Sequence, residues 1–214
     1  MVTTLAGAER AALSDLLESS GPDAPTLCGD WTTRDLAAHL VVRERRPDSL
    51  PGIRIRALTG HTESVQASYA GRDYAELVHL VRTGPGLLSP FALPGVDTAL
   101  NTTEYAVHHE DVRRAATGWE PRRVPATAQD SFWKVVSARS AMTFRSLGCR
   151  VELRRSDRPE ADAVSRGSGE STVVLTGEPL EMLMFVFGRR EHALVEVSGD
   201  PEAVAALNGA DLGV

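Results

Sequence analysis

Cysteine and lysine are almost absent from this chain. Cys28 and Cys149 are the only two cysteines among 214 residues. Two thiols make no disulfide framework, which excludes a small stapled extracellular fold. Both are expected to be reduced and to pack as small apolar side chains. Lys134 is the only lysine among 23 basic residues, and the rest are arginine. That bias is expected from a GC-rich coding sequence rather than from chemistry. An excess of positive charge is also missing. The formal net charge is -6, which excludes a general nucleic-acid binder. No run approaches the roughly 18 apolar residues of a membrane helix. The first residues lack the basic-then-apolar pattern of a secretory signal. The chain is expected to be cytoplasmic, with neither nucleic acid nor membrane as a partner. No internal repeat is visible.

What the chain does have is helical periodicity, over a length sufficient for one large domain or two small ones. Residues 3–19 carry Leu5, Ala8, Ala12, Leu16 and Leu17 at helical spacing. Gly21-Pro22 ends that helix, and a loop follows to residue 30. Asp30 or Thr32 can cap a second helix over 33–45. A third helix is predicted over 61–82, and residues 84–95 read as a long loop. A fourth helix starts near Asp97 and stops at Gly118. Four helices with short connections predict a four-helix bundle. The pattern changes after Pro121. A helix is predicted over 127–147 and strands over 151–153 and 171–175, with a hairpin loop or partly disordered segment at 156–170. A short helix is expected over 178–187, a strand over 193–197 and a last helix over 201–207. This half reads as α+β. The boundary falls in 118–126, dividing a bundle of residues 1–120 from a small α+β domain of 121–214.

Three side chains on two of these helices point to a metal. Residues four apart on a helix differ by about 40° in direction. Glu104 and His108 therefore share a face, Asp111 falls on it too, and His109 points away. His39, in the apolar stretch Leu36–Val42, can add a ligand from a second helix. Three protein ligands with a vacant fourth position are how a catalytic zinc is held. Plainer readings stand beside this one. His39 also reads as a satisfied core histidine, and Glu104/His108 as a surface i,i+4 pair. Asp111 reads as a partner that holds the tautomer of His108 or pairs with Arg114. His61, His79 and His192 read as surface or core residues. Arg43, Arg45, Arg46, Arg54 and Arg56 form a cationic stretch. It reads first as a solvated face paired with Glu44 and Asp48, and second as a site for an anionic substrate.

With these residues in place, the chain resembles the DinB-like metalloenzyme superfamily. The branch it resembles holds mycothiol-dependent maleylpyruvate isomerase and related mycothiol S-transferases. One motif of that branch runs approximately Trp-Ser/Thr-x-x-Asp/His-Leu/Val-x-x-His-Leu, matched by Trp31 through Leu40. A later one, Glu-x-x-x-His-x-x-Asp, is matched by Glu104, His108 and Asp111. Val174 to Glu181 and Phe187-Gly188-Arg189-Arg190 look like the small sterol-carrier-like α+β domain that follows the bundle there. Leu40 to Asp48 look like a metal-binding subgroup rather than the isomerase itself.

The resemblance implies a divalent metal, usually zinc, on His39, Glu104 and His108, with Asp111 behind them. It implies mycothiol as co-substrate and a small electrophile as its partner, in a monomer or homodimer. A free thiol has a pKa of roughly 8.5, and coordination to zinc deprotonates it. The implied activity is thiol S-transfer or isomerisation, with no protein nucleophile. Arg43, Arg46 and Arg189 are candidates for binding the substrates. Other readings keep the metal: hydrolysis by zinc-bound water, or an iron oxygenase on two histidines and a carboxylate. A non-catalytic metal- or ligand-binding module is a third.

Overall fold

The computed structural model describes residues 4–46, 48–49, 59–86, 96–161 and 163–211. They form eight helices and a four-stranded sheet, an α+β architecture. The chain divides into two compact units, Met1–Glu120 and Pro121–Val214. No helix among the described residues is long and apolar enough to cross a membrane.

The first unit holds α1 (Leu5–Ser20), α2 (Thr33–Arg45), α3 (Thr59–Ala70), α4 (Tyr74–Thr83) and α5 (Val96–Ala115). Its second helix starts where the sequence predicts. The Asp35 carboxylate accepts from both the backbone N–H and the hydroxyl of Thr32, closing the N-terminus as a capping box does. The loop before it satisfies two more orphan donors: Thr33 N–H goes to the carbonyl of Ala24, and Arg34 N–H to that of Pro22. The helix expected over 61–82 is instead two helices. Asp73 caps α4 by accepting from Glu76 N–H, and this stop at residues 71–73 lets the chain turn. Among the described residues the first unit therefore has five helices. Arg54, Arg56 and residues 87–95 of the expected long loop lie outside the described residues.

Packing follows the apolar stripes. Helix α1 runs along α5, and α4 packs on both α1 and α2. Leu13, Leu17, Leu36, Leu40, Leu77, Val81 and Tyr105 meet in one buried cluster. An ion pair adjoins it, Arg10 Nη2 to Glu44 Oε1 at 2.8 Å, with the Glu44 carboxylate buried and the Arg10 guanidinium partly so, over the Tyr105 ring. Burial pushes the Glu44 carboxyl above its ordinary range, with Arg10 opposing.

The second unit orders its strands β2-β1-β3-β4. β1 (Arg150–Arg155) pairs in parallel with β3 (Thr172–Gly177), placing Val151 opposite Val173 and Leu153 opposite Leu175. All four side chains are buried, as period-2 alternation requires. The polar segment 156–170 carries a strand, β2 (Val164–Arg166), antiparallel to β1. β4 is Glu196–Gly199, antiparallel to β3, three residues later than the sequence suggests. There Leu194 N–H is taken by the buried carboxylate of Glu181, at 2.8 Å, rather than by the ladder. Helix α6 (Ala126–Thr143) packs on the wholly buried α7 (Pro179–Val186), and α8 (Pro201–Gly209) lies against β3 and β4. Gln129 of α6 ties α7 down by accepting from Leu180 N–H and donating to Glu178.

Truncating one member of a buried ion pair leaves the other uncompensated. Arg10→Met should therefore destabilise the protein by about 3 kcal/mol near neutral pH. Glu44, whose folded pKa is raised, adds stability below its unfolded pKa and loses it as pH rises through the folded one. The Arg10→Met penalty should accordingly shrink toward pH 5, and Glu44→Gln on the same background should recover most of it. Urea melts at two pH values measure both effects.

Candidate metal centre

Helices α2 and α5 each present one stripe to a common point. On α2 the stripe is His39 and, one turn on, Arg43. On α5 it is Asn101, Glu104, His108 and Asp111, spaced 3, 4 and 3 residues apart. Helical geometry puts such a series on one face.

Glu104 stands at the middle. Its Oε1 lies 3.3 Å from Nε2 of His39 and 3.3 Å from Nε2 of His108. The two imidazoles are 5.6 Å apart, edge to face. One atom from each of the three residues lies within 4.8 Å of the others. Side-chain exposures are 20% for His39, 25% for Glu104 and 12% for His108, so the trio is partly exposed.

A second group shares His108 but uses its other nitrogen. Nδ1 of His108 is 2.9 Å from Oδ2 of the fully buried Asp111. The thiol of Cys28 lies 3.1 Å from the same oxygen and 3.7 Å from His108 Nδ1. These three also satisfy a simple proximity criterion for a metal site. Distances separate the two groups. Donors about 2.0–2.1 Å from a tetrahedral zinc stand roughly 3.3–3.4 Å from one another. The Glu104 contacts match that spacing and are long for hydrogen bonds. The Asp111 contacts are shorter, and the values suit an N–H and an S–H donated to a carboxylate. The donor set of two imidazole nitrogens and one carboxylate oxygen suits a divalent cation of the zinc or iron class. Asp111 sits where an outer carboxylate fixes the ligating tautomer of a histidine.

Electrostatics agree with the geometry. Burial raises the Glu104 carboxyl, but the adjacent His108 and His39 imidazoles, with the Arg43 guanidinium, outweigh it and hold the group well below its usual range. Burial lowers the His108 imidazole, but bonds to Asp111, Cys28 and Glu104 carry it well above the ordinary value.

The structure brings His39, Glu104, His108 and Asp111 together. His109 faces elsewhere, toward Glu9, with Nδ1 at 3.0 Å from its carboxylate. Arg114 pairs with Glu110, Nε to Oε2 at 2.6 Å. Arg43 is at the site: Nη1 donates to Asn101 Oδ1 at 2.7 Å and Nε is 3.5 Å from Glu104 Oε1. Arg46 makes a two-pronged pair with Asp48, which also meets His61. Arg189 belongs to the second unit, where Nη1 donates to the carbonyl of Phe187 at 2.6 Å. Three neighbours are not picked out by the sequence reading. Asn101 was legible, since it extends the stripe of Glu104 by three residues. Trp31, whose ring centroid is 5.2 Å from that of His39, lies within the matched motif. Cys28 has no such signal, because no periodicity links residue 28 to residue 111.

No family model and no curated protein matches the chain. Two solved structures share its fold. One is the crystal structure of the mycothiol-dependent maleylpyruvate isomerase, and the other is a histidine-to-alanine mutant of it. Each aligns over 91% of this chain and 90% of its own, with a TM-score of 0.59 and 16% identity. The resemblance read from the motifs is matched at the level of the fold.

A protonated His108 must give up a proton before its Nε2 can act as a ligand, so protons and metal compete. Zinc affinity should therefore strengthen as pH rises from about 6 to about 8. Competition against a chromophoric chelator measures it, and an affinity flat over that range would remove His108 from the ligand set.

Proposed function

We propose that the chain is a metal-dependent thiol S-transferase or isomerase that uses mycothiol against an electrophilic small molecule. The metal is a divalent cation, zinc in the first instance, held by His39, Glu104 and His108. The first unit then serves as a DinB-like helical bundle. Supporting the reading is the convergence of the three donor atoms at ligand-like spacing, in a fold shared with a mycothiol-dependent isomerase.

When bound, such a cation supplies Lewis acidity that lowers the pKa of a thiol brought to it. The protein residues do the rest. Asp111 accepts a hydrogen bond from Nδ1–H of His108, which leaves the lone pair on Nε2, the nitrogen that faces Glu104. Trp31 backs His39. Asn101 holds Arg43, whose guanidinium stands beside Glu104. Glu104 and Asp111 together balance a divalent charge, and Arg43 leaves one positive charge over. That excess favours an anionic sulfur or a carboxylate-bearing substrate. A thiol that adds to an activated double bond and then leaves again isomerises the substrate and is recovered unchanged. Addition without elimination, or displacement of a leaving group, gives an S-conjugate. Arg46, which pairs with Asp48, is assigned to substrate binding as an outer cation of this reading.

The test is mass spectrometry on purified, zinc-loaded protein with mycothiol and a panel of electrophiles. Conjugate formation or isomerisation should exceed the uncatalysed rate. His39→Ala should lose zinc and at least about a hundredfold in rate, about 2.7 kcal/mol or more of transition-state stabilisation. Turnover without any thiol would move the assignment to hydrolysis, and unchanged zinc affinity in His39→Ala would remove that residue from the centre.

A further inference from the structure

The loop 21–32 ahead of α2 reaches both histidines. Trp31 lies against His39, and Cys28 reaches His108 through Asp111. The loop is fastened at that point. Leu27 N–H donates to the backbone carbonyl of Asp111 at 3.1 Å, and Cys28 N–H donates to Thr26 Oγ1 at 3.1 Å. The Thr26 hydroxyl in turn donates to the carbonyl of Trp31 at 2.8 Å. Cys28 is thus held with its sulfur on one oxygen of a fully buried carboxylate, the oxygen that also receives His108 Nδ1–H.

We infer that Cys28 is a positioning residue of the metal centre. Its S–H donates to Asp111 Oδ2 and fixes the plane of that carboxylate, which in turn fixes the ring of His108. Taking a donor from a buried carboxylate costs free energy, and it removes one of the contacts that hold the group against the imidazole it orients. Cys28 is accordingly not a metal ligand and not a nucleophile. The inference rests on the reading of His108 as a ligand, and its experiment separates the two.

Zinc affinity is measured by chelator competition for the wild type, Cys28→Ser, Cys28→Ala and Asp111→Asn. Outer partners of ligating histidines are worth about 10–100-fold in affinity. Cys28→Ala should weaken zinc binding about tenfold, Asp111→Asn by at least as much, and Cys28→Ser, which keeps a donor, should fall between the alanine variant and wild type. Alanine equal to or better than serine would reduce Cys28 to packing and overturn the inference. Cadmium-loaded protein should show no thiolate-to-cadmium absorption that Cys28→Ser abolishes. Such a band would make Cys28 a ligand and also overturn it. Nitrogen-15 NMR of the metal-free protein reads the same contact without zinc. The His108 Nδ1–H proton should exchange with water faster in Cys28→Ala than in wild type, and an unchanged rate counts against the inference. If wild type binds no zinc, the metal reading fails, and the exchange rates alone decide the role of Cys28.

Discussion

One carboxylate oxygen between two imidazole nitrogens is the constraint around which the first unit is arranged. Glu104 Oε1 is 3.3 Å from a nitrogen on its own helix and 3.3 Å from one on α2. The contact within α5 is local and follows from four-residue spacing. The contact to α2 depends on the height and rotation of a separate helix. Much of the surrounding structure fixes those two quantities. The Thr32–Asp35 cap fixes where α2 begins. Leu36, Leu40 and Val41 fix which face turns inward, and α1 and α4 hold the helices together.

The same arrangement gives the two nitrogens of His108 different tasks. Nε2 faces the partly open centre, and Nδ1 faces a buried carboxylate. A proton on Nδ1 and a lone pair on Nε2 are then one decision, made by Asp111 from behind. Arg43 acts on Glu104 from the other end of the stripe, and Asn101 steadies it. The centre is therefore supported from both ends of one helix face.

Local rules made much of this legible in the sequence. Helix α2 matches its expected span because a cap, a periodic run and a proline bracket it. Glu104, His108 and Asp111 are readable as one face because helical spacing is enough. Features that depend on tertiary partners were not legible. The break at residues 71–73 interrupts a stretch whose apolar periodicity continues through it, so only the Asp73 cap reveals it. Strand β2 is three residues long with one apolar side chain, Val164, and is recognised by its pairing with β1. Val195 extends an alternating pattern, yet the strand starts after it because Glu181 claims the preceding amide. Glu44 sits among arginines and looks solvated, but it is buried against Arg10, thirty-four positions away.

All the side chains of the centre, from Cys28 to Asp111, come from the first 120 residues. The ligand set is therefore insulated from sequence change in Pro121–Val214. Substitutions there can alter a binding preference, a surface or an assembly without removing a donor atom.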